Sequence, residues 1–182
     1  MSPDVFLWLL GRVAGLSCFA ALALTVTSGL ALRAGTFSGL ATNRALNSTH
    51  QFMTVLWLPL GGLHVLALLL DATARLQVWD VLVPFLADYD ARGRLAIGLG
   101  TLSLDLVLVV VITGWLRRRL PVTLWHWLHR LAYVAFGAFF LHALLGGTDF
   151  SSPIVSAITW SAAFVLVVLS AGRLIGGRLP NR

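Results

Sequence analysis

Four of the five histidines in this 182-residue chain fall in two pairs along apolar stretches, His50 with His64 fourteen residues apart and His129 with His142 thirteen apart. A neutral imidazole is a good ligand for a transition metal and a common axial ligand of haem iron. At ~1.5 Å rise per residue, each pair spreads its members roughly 20 Å along a helix, near opposite edges of a hydrocarbon core ~30 Å thick. Two helices that each offer an imidazole at two depths can hold two planar cofactors stacked across a membrane. Haem b with two histidine ligands is the cofactor this pattern calls for. The fifth histidine, His126, stands one turn before His129 and competes with it. Set between Trp125 and Trp127 and close to an arginine cluster, it reads better as an interfacial side chain.

The elements that must carry these residues are membrane spans. With 58% hydrophobic residues, 11% charged residues and a mean hydropathy of +0.89, the composition excludes a water-soluble domain. Five apolar stretches stand at 5–32, 49–70, 95–116, 123–145 and 154–175, each about the ~20 residues a span requires. The expected fold is therefore all-α, an integral membrane bundle of five transmembrane helices forming one domain over 1–182. The first stretch begins with Asp4 rather than a basic leader and outruns a signal-peptide core, so it is expected to be a retained helix. The lone Cys18 leaves no intrachain disulfide and no cysteine cluster, so any metal chemistry rests on histidine.

A net charge of +6 invites a nucleic-acid reading, but the arginines flank the spans and follow sidedness instead, so no nucleic-acid partner is expected. Arg33 and Arg44 follow the first span, Arg117, Arg118 and Arg119 the third, and Arg173, Arg178 and Arg182 end the chain. The other loops hold Asp71, Asp80, Asp88, Asp90 and Asp149, with Arg75, Arg92 and Arg94 in the minority. The positive-inside rule then puts the N-terminus outside and the C-terminus in the cytoplasm of a bacterial-type cytoplasmic membrane. Spans two and four run parallel in this arrangement. His50 and His129 share the inner depth, and His64 and His142 the outer one.

Helical phase favours one pair over the other. Fourteen residues return within ~40° of the same face, whereas thirteen leave His129 and His142 about 140° apart on an ideal helix. Either a local distortion, which Gly137 would permit, or haems meeting the helix from different sides would reconcile them. Gly61 and Gly62, just before His64, would admit a porphyrin edge or serve close helix packing. Trp57, seven residues from both His50 and His64, and the similarly placed Phe136 lie between the two cofactor depths, as spacers, stepping stones or core packing. Arg12, at the outer end of span one, would suit a haem propionate or snorkel to the headgroups. Asp105, near mid-membrane, would orient a histidine, pair with an arginine, relay protons or stay protonated. Pro59 is expected to kink span two, and Ser48 with Gln51 has capping-box spacing that would start this helix just before His50. The apolar run VWDVLVPFLADY, too short to cross and broken by Pro84, is expected along the outer interface with Trp79 and Tyr89 at headgroup level.

The run LWHWLHRLAYVAFGAFFLHALLGGTD resembles the W-x-x-LH-x-L-x-Y…LH-x-LL-x-GTD span of ferric-reductase-like transmembrane proteins. RVAGL at 12–16, GLHVLALLLD at 62–71, DVLVPF at 80–85 and RRRLP at 117–121 are similar to the bacterial stand-alone members. The resemblance covers nearly the whole chain, and its most specific part is the pair of histidine spacings, shared with the membrane domains of NADPH oxidases. It implies an inner haem b on His50 and His129 and an outer one on His64 and His142. It also implies an electron-transfer subunit of an oxidoreductase, a dihaem b-type cytochrome carrying electrons across the membrane. Full-length ferric reductases append flavin and nicotinamide domains, which are not expected here, since Gly98-Leu99-Gly100 lies inside a span rather than after a strand. The haem subunit of the periplasmic methionine sulfoxide reductase system, a relative within that family, also lacks those domains. A separate donor, flavoprotein or quinol, and a separate acceptor are therefore expected. Two other functions are compatible with the residues: a terminal reductase of ferric chelate, oxygen or quinone, and a structural subunit, haem-bearing or haem-free, of a larger membrane complex.

Overall fold

The computed structural model describes residues 2–34 and 41–176, and Arg178 and Arg182 lie outside them. The described residues form helices α1 (Pro3–Ala34), α2 (Asn43–Leu70), α3 (Val78–Leu82), α4 (Ala91–Trp115), α5 (Val122–Gly146) and α6 (Pro153–Gly176), with a 3-10 turn at Thr148–Ser151. All but α3 are long and apolar enough to cross a membrane, and the protein is an all-α integral membrane protein with five spans. Large apolar side chains such as Val55, Trp115 and Phe164 are exposed along them, as lipid-facing residues are.

Span boundaries agree with the apolar pattern within a few residues, with one exception. Helix α2 begins at Asn43, not just before His50, because the Thr42 hydroxyl accepts from the Ala45 N–H at 3.1 Å and caps the first turn. Ser48 and Gln51 lie inside the helix, which also runs without interruption through Pro59. Helix α4 starts the same way, with the Asp90 carboxylate accepting from the Gly93 N–H at 2.9 Å.

The chain divides into two compact units, Met1–Gly15 with Gly62–Thr148, and Leu16–Gly61 with Asp149–Arg182. In the first, α4 and α5 form an antiparallel hairpin. Its middle is fixed by the buried Ser103 hydroxyl, which donates to the Ala135 carbonyl at 2.9 Å, and its end by Arg92 Nε, 3.2 Å from the Leu145 carbonyl. Small residues let the backbones approach: a Cβ on Gly146 would sit 3.5 Å from that of Ala96. The segment between α2 and α4 packs on α4. Thr101 donates to the Asp80 carbonyl at 2.8 Å, and the ring of Phe85, whose φ of 65° is in the left-handed region, lies on Gly98 where any Cβ would collide with it. Trp79 is 64% exposed, as an interfacial residue would be, whereas Tyr89 is half-buried against Gly93.

In the second unit the buried Cys18 thiol donates to the Trp57 carbonyl at 3.6 Å, and a Cβ on Gly61 would stand 3.4 Å from Cys18 Sγ. Phe19 meets Phe150 edge to face at 5.9 Å. The buried hydroxyls of Thr25 and Ser28 return to carbonyls of their own helix, at Ala21 and Leu24, so neither is left unsatisfied in an apolar setting.

Candidate metal centre

Three of the four paired histidines are held in the same way. His64 Nδ1 lies 2.8 Å from the carbonyl of Gly11, His142 Nδ1 lies 2.8 Å from that of Ala96, and His50 Nδ1 lies 2.8 Å from that of Thr25. A carbonyl can only accept, so each Nδ1 carries a proton, and in the neutral ring Nε2 keeps its lone pair. This is how proteins prepare a histidine for a metal: one ring nitrogen donates to a backbone carbonyl, fixing tautomer and orientation, while the other coordinates.

The first unit brings two of these rings together. The centres of His64 and His142 stand 6.3 Å apart with their planes at 75°. Two imidazoles sharing one metal, with a metal–nitrogen distance of about 2.0 Å and a further ~1.1 Å to each ring centre, would have ring centres up to about 6.2 Å apart, close to the spacing seen here. An edge-to-face contact between the rings would tolerate the same spacing. Here, however, both Nδ1 protons are spent on carbonyls, and no hydrogen bond reaches either Nε2 among the described residues. Two imidazoles held through Nδ1 at this spacing could serve a bis-histidine site. Among the described residues no group of three or more His, Cys, Asp or Glu gathers to hold a metal ion. A pair is what haem iron asks of a protein, since the porphyrin fills its other four positions. The ring of Phe139 stacks on His142 at 5.9 Å and 16°.

The other expected site residues are placed as follows. His50 belongs to the second unit, docked on Thr25; His129 belongs to the first, its ring stacked on Trp125 at 5.3 Å and 24°. His126 meets the same indole at 4.9 Å and 44°. Trp57 and Phe136 are buried, 5% and 8% exposed, each within its own unit. Arg12 lies next to the Gly11 carbonyl that receives His64, its guanidinium 4.1 Å above the Trp8 ring. Gly61 serves packing against Cys18, and Gly62 faces open space. Asp105 does not orient His64 or His142, which take backbone carbonyls.

Sequence reasoning missed the acceptors and the glycines beside them. A Cβ on Gly15 would lie 2.8 Å from His64 Nδ1, one on Gly100 would lie 2.7 Å from His142 Nδ1, and one on Gly29 would lie 3.2 Å from His50 Nδ1. The signal was present: Gly15 and Gly29 are fourteen residues apart, as are His50 and His64.

No protein-family model, curated protein or solved structure matches this chain.

Proposed function

We propose that this chain is a dihaem b-type cytochrome that carries electrons across the membrane between a separate donor and a separate acceptor. The observation that carries the proposal is the His64–His142 pair, spaced at 6.3 Å with both rings donating through Nδ1 to helix carbonyls. His50, docked identically, and His129 would hold the second haem. The fourteen residues between His50 and His64 on the continuous helix α2 correspond to roughly 20 Å of rise, enough to put one site toward each face of the membrane. Haem held by these histidines would supply a one-electron couple at each depth.

The protein's own part is to fix and space the cofactors. The carbonyls of Gly11, Ala96 and Thr25 hold three imidazoles in the coordinating tautomer. Trp57 and Phe136 are both buried and, standing in sequence between the two ligands of their helices, would be spacers or stepping stones. Arg12 would supply the cation for an outer propionate. Arginine placement orients the chain with its N-terminus outside, so that His50 and His129 are the inner pair. The deciding experiment is a reduced-minus-oxidised spectrum of the purified chain with haem quantitation. Two b-type haems per chain are expected, and a fully loaded preparation with one or none would overturn the proposal.

A further inference from the structure

We infer that Gly15, Gly29 and Gly100 are positioning residues for the histidine ligands, each providing the space in which an imidazole reaches a carbonyl already engaged in its helix. The inference rests on the haem reading above and assigns residues that the histidine pattern itself does not reveal. In every case the glycine stands four residues after the acceptor: Gly11 then Gly15, Thr25 then Gly29, Ala96 then Gly100. The physical reason is general. The carbonyl of residue i is bonded to the N–H of residue i+4, so a second donor must approach from the side. Cα–Cβ bonds in a helix tilt toward its N-terminus, which hangs the Cβ of residue i+4 beside that carbonyl. Only glycine leaves the flank open.

Among the helical glycines of the described residues, these three are the ones whose added Cβ would crowd an imidazole. At Gly15 and Gly100 an added Cβ would meet the imidazole at 2.8 and 2.7 Å, closer than real Cβ atoms come, and the ring would have to move. At Gly29 the approach is 3.2 Å to both Nδ1 and Cε1 of His50, so a displacement of a few tenths of an ångström would relieve it. Gly11, Gly61 and Gly146 would make ordinary contacts of 3.4 Å or more, and Gly62, Gly114, Gly137 and Gly172 none within 4 Å. Gly93 and Gly98 are also crowded, but by Tyr89, Asp90 and Phe85 of the preceding loop. His64 and His142 take their glycines from two different helices, α1 and α4, so both substitutions should act on one and the same haem.

The test uses the full chain in membranes, with Gly15→Ala, Gly29→Ala, Gly100→Ala and the control Gly172→Ala. Haem per chain and the low-spin ferric EPR signals of the two sites are read for each. Alanine is the better helix former, so substitution by itself favours the span and any loss must come from the ring contact. Gly15→Ala and Gly100→Ala are expected to shift or abolish the same one of the two signals. Gly29→Ala should alter only the other, by a smaller shift with both haems retained, and Gly172→Ala should change neither. Gly29→Ala, with the mildest contact, decides the matter if either of the other two fails to accumulate. Two unaltered signals in Gly29→Ala and in whichever outer variants accumulate would overturn the inference while leaving the haem reading intact. A wild-type chain without haem would overturn both.

Discussion

Removing either ring of the His64–His142 pair should cost one haem, and removing both should cost no more. The rings stand 6.3 Å apart, close enough to share one metal, and each already spends its Nδ1 proton on a different helix, α1 for His64 and α4 for His142. His64→Ala deletes one ligand and one hydrogen bond to a carbonyl that keeps its own helical partner. That bond is worth about 0.6 kcal/mol on average between transmembrane helices, too little to unfold the span. The protein should therefore accumulate, and haem per chain should fall from two to one. The same holds for His142→Ala. For the double variant, independent sites would predict none, whereas a shared site predicts one; the coupling between the two substitutions then equals the whole effect of either. The assay is extracted haem per chain together with a redox titration, which should resolve the same single remaining component in all three variants. His126→Ala, whose ring lies against Trp125, should keep two. A double variant with no haem, or single variants that retain different components, would refute the shared site.

Two further outcomes test the chain outside its spans. The Asp71 carboxylate accepts from the Thr73 hydroxyl at 2.6 Å and the Thr73 N–H at 2.8 Å, and these bonds, the hydroxyl first, hold its pKa below the usual carboxylate range. The native state then gains stability above the ordinary value of ~4 and loses it as pH falls through the lowered native value, so Asp71→Asn should melt below wild type at pH 7 in detergent and converge with it below pH ~4; a gap that persists undiminished at still lower pH would count against this. In a Cys18→Ala background, a cysteine replacing the exposed Asp88 should react with an impermeant thiol reagent in intact cells, while one replacing the exposed Arg118 should react only after permeabilisation. The opposite pattern would invert the proposed orientation.

The spans were legible because hydrophobic length is a strong signal and needs no partner to be read. Helix starts were less so. Ser48 and Gln51 carry capping-box spacing, but Thr42 carries a capping hydroxyl as well, and the longer helix wins because residues 43–49 contain nothing to stop it. The docking of residues 78–86 on α4 depends on a left-handed Phe85 over Gly98 and on the Thr101–Asp80 bond, neither of which leaves a periodic trace. At the site, the histidines announced themselves as costly residues in apolar runs. Their partners did not, since a backbone carbonyl has no letter in the sequence. Of the two readings open for Gly61, a porphyrin edge or close helix packing, its contact with the Cys18 thiol is the packing one.

The thirteen-residue spacing of His129 and His142 follows from the same accounting. Helices α4 and α5 run antiparallel, and His142 docks at Gly100. Fourteen residues beyond Gly100 along α4 is Gly114, and fourteen before His142 along α5 is Leu128. A ligand at 128 would repeat the arrangement that α1 offers to α2, where fourteen is matched by fourteen. His129 is one position off, which turns its ring about 100° away from that face. The flank of Gly114 accordingly has no atom within 4 Å, and His129 lies instead along the Trp125 indole one turn earlier. The odd spacing is thus not a distorted copy of the even one. The ring beside Trp125 stacks on that indole, and in the other three Nδ1 lies 2.8 Å from a backbone carbonyl.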